Sequence, residues 1–140
     1  MSQRLISVVI RTRNELSELI DLLEVLDRQI LPEGWEKEVI VVDNESTDGT
    51  RELAEERGCK VVTITNFTHP RSMNMGCENS TGEIVVLTVG HALPWSVHWL
   101  ASAINAFEDK TVAGVYCNTW YDPRPGRSTF WVRLMFIIGY

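Results

Sequence analysis

The chain has 140 residues, 44% of them hydrophobic and 23% charged, the composition of one ordinary globular domain long enough to bury a core. Its formal net charge of −6 lacks the basic excess that marks non-specific nucleic-acid binders, so no nucleic-acid partner is expected. Cys59, Cys77 and Cys117 are widely spaced and form no C-x-x-C pair, which reads as reduced thiols of a cytoplasmic protein filling small gaps in its packing. His69, His91 and His98 lack the i, i+4 spacing of a helical zinc pair, and the short polar start Met1 to Arg4 carries no secretory signal.

In chain order, Leu5 to Ile10 predicts a buried strand that ends in the polar loop Arg11-Thr12-Arg13-Asn14. Asn14 is placed to cap a helix whose apolar face is Leu16, Leu19, Ile20, Leu23 and Leu26, ended by Pro32 and Gly34. Val39 to Val42 then form a short, largely β-branched run, the pattern of a strand buried on both faces, with Asp43 at its carboxyl end. In open α/β sheets ligands bind at that edge. A carboxylate there either caps the following turn or accepts from a ligand N–H or hydroxyl, such as a ribose or the imide of a uracil-type base. Ser46-Thr47-Asp48-Gly49 leads into a short charged helix with Gly58 as its C′ residue, and Lys60 to Ile64 is a third strand.

Pro70 opens the next helix, where Met73, Met75 and Cys77 read as packing groups. After Gly82 comes the apolar strand Ile84 to Val89, then the edge loop Gly90 to Pro94 and a helix capped by Ser96. Trp95 and Trp99, four apart on or near that helix, read as packing groups rather than ligand-stacking ones. Val112 to Tyr116 is the last strand of the regular pattern. Strands alternating with helices mean βαβ units and a parallel sheet, and right-handed crossovers bring the loops of Thr12, Asp43 and His91 to one rim. Beyond lies the connector Asp122 to Ser128, then the apolar run Phe130 to Tyr140, too short to span a bilayer, which needs about 20 apolar residues. That run reads either as a helix packing on a further part of the protein or as the start of a membrane-surface helix.

Several segments, in order, resemble the family 2 glycosyltransferases of the GT-A fold. They are Ser7-Val8-Val9-Ile10-Arg11-Thr12-Arg13-Asn14-Glu15, Val41-Val42-Asp43-Asn44-Glu45-Ser46-Thr47-Asp48-Gly49-Thr50, Arg71-Ser72-Met73-Asn74-Met75-Gly76, Gly82-Glu83-Ile84-Val85-Val86-Leu87, and Pro94 with Trp99-Leu100. The resemblance implies a doubly wound, mostly parallel α/β sheet with helices on both faces, the Rossmann-like nucleotide-binding half of that fold. It also implies a nucleotide-diphosphate-sugar donor site drawn from Thr12, Asn14, Glu15, Asp43, Ser46, Arg71, Asn74 and His91, with Asp43 on the base. An arginine at position 71 suits the diphosphate through paired N–H groups, while Ser46 and Asp48 also serve to fix their turn.

Two departures from the family pattern stand out. Its Asp-X-Asp motif, which helps hold a divalent ion such as Mg2+ or Mn2+, is replaced by Val89-Gly90-His91, so both carboxylates are absent and His91 is the remaining metal candidate. His91-Ala92-Leu93-Pro94 is similar to a branch of the family with His in this loop. The family's acceptor site and catalytic carboxylate lie in a C-terminal half that nothing beyond Tyr121 matches; Glu83 and Asp109 are poor base candidates, so no catalytic base is assigned. The expectation is therefore a donor-binding domain over residues 1–121, with 122–140 starting an acceptor-binding part. The whole enzyme would move sugar to a saccharide or lipid-linked acceptor hydroxyl, in the cytoplasm or at the inner face of the membrane, with peripheral membrane contact through the C-terminal segment. The alternative is a non-catalytic nucleotide-binding or regulatory module.

Overall fold

The computed structural model describes residues 3–121 and 130–136. The elements are β1 (Arg4–Thr12), α1 (Leu16–Asp27), β2 (Trp35–Asp43), α2 (Thr50–Glu56), β3 (Lys60–Thr63), α3 (His69–Glu78), β4 (Ile84–Val89), β5 (Ala92–Pro94), α4 (Trp99–Ala106), β6 (Val115–Tyr121) and β7 (Phe130–Phe136). They divide into two compact units, residues 1–20 with 34–90, and residues 21–33 with 91–140.

The first unit is a parallel sheet in the order β3-β2-β1-β4. The crossovers through α1 and α2 step one way along this order, and the crossover through α3 steps back across β2 and β1. Right-handed connections then require α3 on the face opposite to α1 and α2. The doubly wound architecture expected from the sequence is thus present. On the α3 face Val9, Ile40, Val42 and Ile64 form a buried cluster against which Val62 and Met75 pack. Gly76 brings α3 down onto β1, since a Cβ there would run into the side chain of Val9.

The run Ile84 to Val89 lies at the edge of this sheet, with Val85 and Leu87 exposed at 37% and 43%, so it is not buried on both faces as β1 and β2 are. The reach of α3 explains this, for it packs on β1 and β2. α3 begins as expected: Thr68 is its N-cap, accepting from the Arg71 N–H, with Pro70 in the first turn.

The second unit holds a three-stranded sheet in which β7 pairs with β5 in parallel and with β6 antiparallel. This corrects the reading of Phe130 to Phe136 as helix. The segment Phe-Trp-Val-Arg-Leu-Met-Phe is rich in the aromatic and branched residues that fit a pleated surface, and β6 supplies a partner of the same kind. The segment placed in 122–140 therefore shares a sheet with strands of 1–121. The connector Asp122 to Ser128 and the end Ile137 to Tyr140 lie outside the described residues. β6 starts at Val115 rather than Val112 because Asp109 draws the chain into a turn, accepting from the N–H groups of Thr111 and Val112.

α4 begins at Trp99, later than a cap at Ser96 would place it. Ser96 instead forms the preceding turn, its hydroxyl accepting from the His98 N–H and its carbonyl from the Trp99 N–H. The helix N-terminus is served by buried Gln29, whose Oε1 accepts from the Leu100 N–H at 3.0 Å while its Nε2 donates to the Ser96 carbonyl at 2.9 Å. Trp99 is buried and Trp95 is exposed at 64%. No helix among the described residues is long and apolar enough to cross a membrane.

Candidate functional site: the carboxyl rim of the parallel sheet

β1 and β2 run in register, so Thr12 and Asp43 stand side by side at the carboxyl rim, exposed only 5% and 1%. Asp43 Oδ2 accepts from the Ser46 N–H at 3.1 Å, and its backbone carbonyl accepts from Ile64 N–H at 2.8 Å. Its Oδ1 is buried and has no partner. A carboxylate oxygen buried without a donor is costly, so this atom can accept from a further donor group.

The two rim loops are bonded to each other. Asn14 donates its N–H to Ser46 Oγ at 2.9 Å, and its Oδ1 accepts from the Thr47 N–H at 2.8 Å. Thr50 Oγ1 accepts from the Glu15 N–H at 3.0 Å, and Asp48 Oδ2 from the Leu16 N–H at 3.1 Å. α1 is thus capped from the β2–α2 loop, not by Asn14, which lies in the left-handed region at φ 51°. Burial raises the Asp48 carboxyl, but hydrogen bonds from Thr50 and Leu16 outweigh it and hold the group below its ordinary value.

Glu15 Oε2 accepts from Thr12 Oγ1 at 2.8 Å and lies 2.5 Å from where a Cβ on Gly90 would stand. With no Cβ, Gly90 lets the end of β4 close on this carboxylate while its N–H donates to the Arg11 carbonyl at 3.1 Å. Thr12, Asn14, Glu15, Asp43 and Ser46 are accordingly brought together in one bonded cluster. Arg71 and Asn74 are exposed on α3 of the same unit, three residues apart and so on neighbouring positions of the helix surface. His91 is half-buried and opens the second unit, directly before β5. Among the described residues no group of three His, Cys, Asp or Glu is arranged to hold a metal ion.

One rim residue escaped the sequence analysis. Arg11 carries a buried Nε with no partner. Its signal was its place, as the single charged residue in the run Leu5 to Thr12.

Comparison with known proteins fits this geometry. A 4,4'-diaponeurosporenoate glycosyltransferase of Staphylococcus haemolyticus is 43% identical over 60 residues, which are 43% of this chain and 15% of that protein. The mannosyltransferase PcManGT of Pyrobaculum calidifontis, solved in complex with GDP-Man and Mn2+, aligns with a TM-score of 0.66 at 28% identity, over 76% of this chain and 33% of its own. Residues 1–349 of S. aureus TarS align at 0.65 and 28% identity, over 74% and 32% of the two chains. The same TarS fragment in complex with UDP aligns at 0.50 and 27% identity, over 61% and 27%. The chain spans about a third or less of the length of these relatives. Their likeness supports the GT-A type of sheet. The model of glycosyl transferase family 2 matches residues 7–139, and the chain belongs to that family.

Proposed function

We propose that this chain is the donor-binding part of a glycosyltransferase that moves a sugar from a nucleotide diphosphate to an acceptor hydroxyl. The observation that carries the reading is Asp43, buried to 1% exposure at the rim with Oδ1 unpartnered. That oxygen matches the imide N–H of a uracil or thymine base, a donor cytosine lacks. Thr12, Asn14, Glu15 and Ser46 fix the loops around this rim by hydrogen bonds, and in this reading Asp43 is the group that reads the base. Arg71 and Asn74 line the donor from α3. The fixed fork of Arg71 suits the departing diphosphate, whose growing negative charge must be stabilised as the sugar leaves.

The family's divalent ion finds a poor donor set on this chain. Val89-Gly90-His91 offers one imidazole and no carboxylate, whereas Mg2+ prefers oxygen ligands in octahedral array. Manganese tolerates nitrogen better, and the complex of PcManGT contains Mn2+. In this reading His91, the residue after Gly90, donates to phosphate oxygens. The acceptor is a saccharide or lipid-linked hydroxyl, met in the cytoplasm or at the inner face of the membrane, where the C-terminal segment makes peripheral contact.

Thermal-shift titration tests the reading. UDP or dTDP should stabilise the chain, by about 2.7 kcal/mol at a hundred times the dissociation constant, and CMP should not. Chelation with EDTA should leave most of that shift, while His91→Ala should remove more of it. Absence of any shift with UDP and dTDP, or a shift abolished by chelator and untouched by His91→Ala, would contradict the proposal.

A further inference from the structure

Arg11 is the eighth residue of β1, with Val42 of β2 and Val89 of β4 as its in-register neighbours. In-register parallel neighbours share a face, so Arg11 belongs to the α3 side together with Val9, Ile40 and Val42. The contact of Gly76 with Val9 fixes how α3 lies over it. One turn from Gly76 toward the start of α3 is Ser72, about 6 Å away along the helix. Two residues from Val9 toward the rim is Arg11, about 6.6 Å along the strand. Helix and strand run in opposite senses in the crossover, so the first turn of α3 stands over Arg11.

The in-register strand neighbours and the first turn of α3 bring no acidic group to Arg11. The flanking strand residues are valines, the first turn of α3 contains no acidic residue, and fully buried Ser72 already donates its hydroxyl to the His69 carbonyl. The ion pairs of Arg4 with Glu83, Arg28 with Glu24 and Arg51 with Glu55 do not involve Arg11. The Arg11 Nε is buried and empty. A buried guanidinium N–H without a partner carries a desolvation cost, which a bound anion would offset.

We propose that Arg11 is a further donor-binding residue, whose guanidinium meets the diphosphate of the bound nucleotide together with Arg71 from the first turn of α3. The proposal rests on the donor-binding reading above. It assigns Arg11 to charge and leaves the base to Asp43. Two properties separate this role from a structural one. Binding of the diphosphate should fall when Arg11 is replaced while binding of the nucleoside does not, and the empty protein should gain from losing an unpaired charge.

The test is calorimetric titration of the chain with UDP and with uridine, alongside melting of the ligand-free protein, for wild type, Arg11→Gln, Arg11→Met and Arg11→Lys. Arg11→Gln should weaken UDP at least tenfold and leave uridine within twofold. Arg11→Met should melt at or above the wild-type temperature. Arg11→Lys, which keeps the charge and loses the paired N–H geometry, should fall between wild type and Arg11→Gln for UDP. Unchanged UDP affinity in Arg11→Gln, an equal loss for UDP and uridine, or a lower melting temperature in both Arg11→Met and Arg11→Gln would overturn the proposal. A wild-type chain that binds neither UDP nor uridine would instead overturn the donor-binding reading and this inference with it.

Discussion

The two ends of the parallel sheet treat their charged groups in opposite ways. At the amino end Glu38 Oε1 accepts from Ser7 Oγ at 2.6 Å, from Thr81 N–H at 2.6 Å and from Thr81 Oγ1 at 3.0 Å, while Ser7 Oγ accepts from Gly82 N–H at 2.8 Å. Arg4 pairs with Glu83 and lies 4.1 Å from the centre of the Trp35 ring. Among the described residues no buried side-chain polar atom at that end is left over. At the carboxyl end Asp43 Oδ1 and Arg11 Nε are both buried and empty. Both ends are built from strand termini and tight loops of one sheet. One end has its buried polar atoms hydrogen-bonded, and the other keeps a buried acceptor and a buried donor unpartnered, which the proposed function assigns to a ligand.

Breaking the satisfied end should cost stability and spare binding. The largest effect is expected for Gly82→Ala. A Cβ there would stand 2.6 Å from Ser7 Oγ, 2.7 Å from Ser7 N and 2.8 Å from the Leu5 carbonyl, two of which are backbone atoms that cannot step aside. Moving the loop away breaks its bonds to Ser7 and Leu5, so chemical denaturation should show a loss of about 3 kcal/mol. A stability within about 0.5 kcal/mol of wild type would mean that the loop relaxes freely.

A smaller and pH-dependent effect is expected for Glu38→Gln. Burial raises the Glu38 carboxyl, but bonds from Ser7, Thr81 and Gly82 outweigh it and hold the group below its ordinary value. A depressed carboxyl favours the fold in its charged form. Its contribution is complete above the ordinary carboxyl value of about 4.3 and is lost as pH falls through the lowered folded value. Denaturation midpoints taken from pH 7 down to pH 3 should therefore show a gap of about 1–2 kcal/mol between wild type and Glu38→Gln at neutral pH, closing in acid. A constant gap would assign the loss to packing instead.

How much of this was legible in the sequence follows from which interactions are local. The apolar runs leading to Thr12 and Asp43, the alternation of strand and helix and the handedness of crossovers were enough to place both residues on one rim; that they stand side by side follows from the register of β1 and β2. Helix starts were not legible, because the partner that satisfies a terminal N–H need not be near in sequence. Asn14 and Ser96 have the right chemistry for caps, but Asp48 and Gln29 reach those helices from 32 and 71 residues away. The pairing of β7 with β5 and β6 was equally hidden, since an apolar run of this length has no period that separates strand from helix without its partner. The empty Nε of Arg11 was visible only once α3 lay over β1, because an unpaired charge is defined by what surrounds it.

The most direct measurement of the contrast between the two ends pairs Asp43→Asn with Glu38→Gln, each titrated with UDP and dTDP by calorimetry and melted without ligand. Asn keeps the shape of Asp43 but replaces a charged acceptor, so Asp43→Asn should weaken binding by up to about 3 kcal/mol, the scale of a charged hydrogen bond, and keep its melting temperature. Glu38→Gln should melt lower and bind as wild type does. Unchanged affinity in Asp43→Asn, or a loss of affinity in Glu38→Gln equal to that in Asp43→Asn, would contradict the assignment of the carboxyl rim to the ligand.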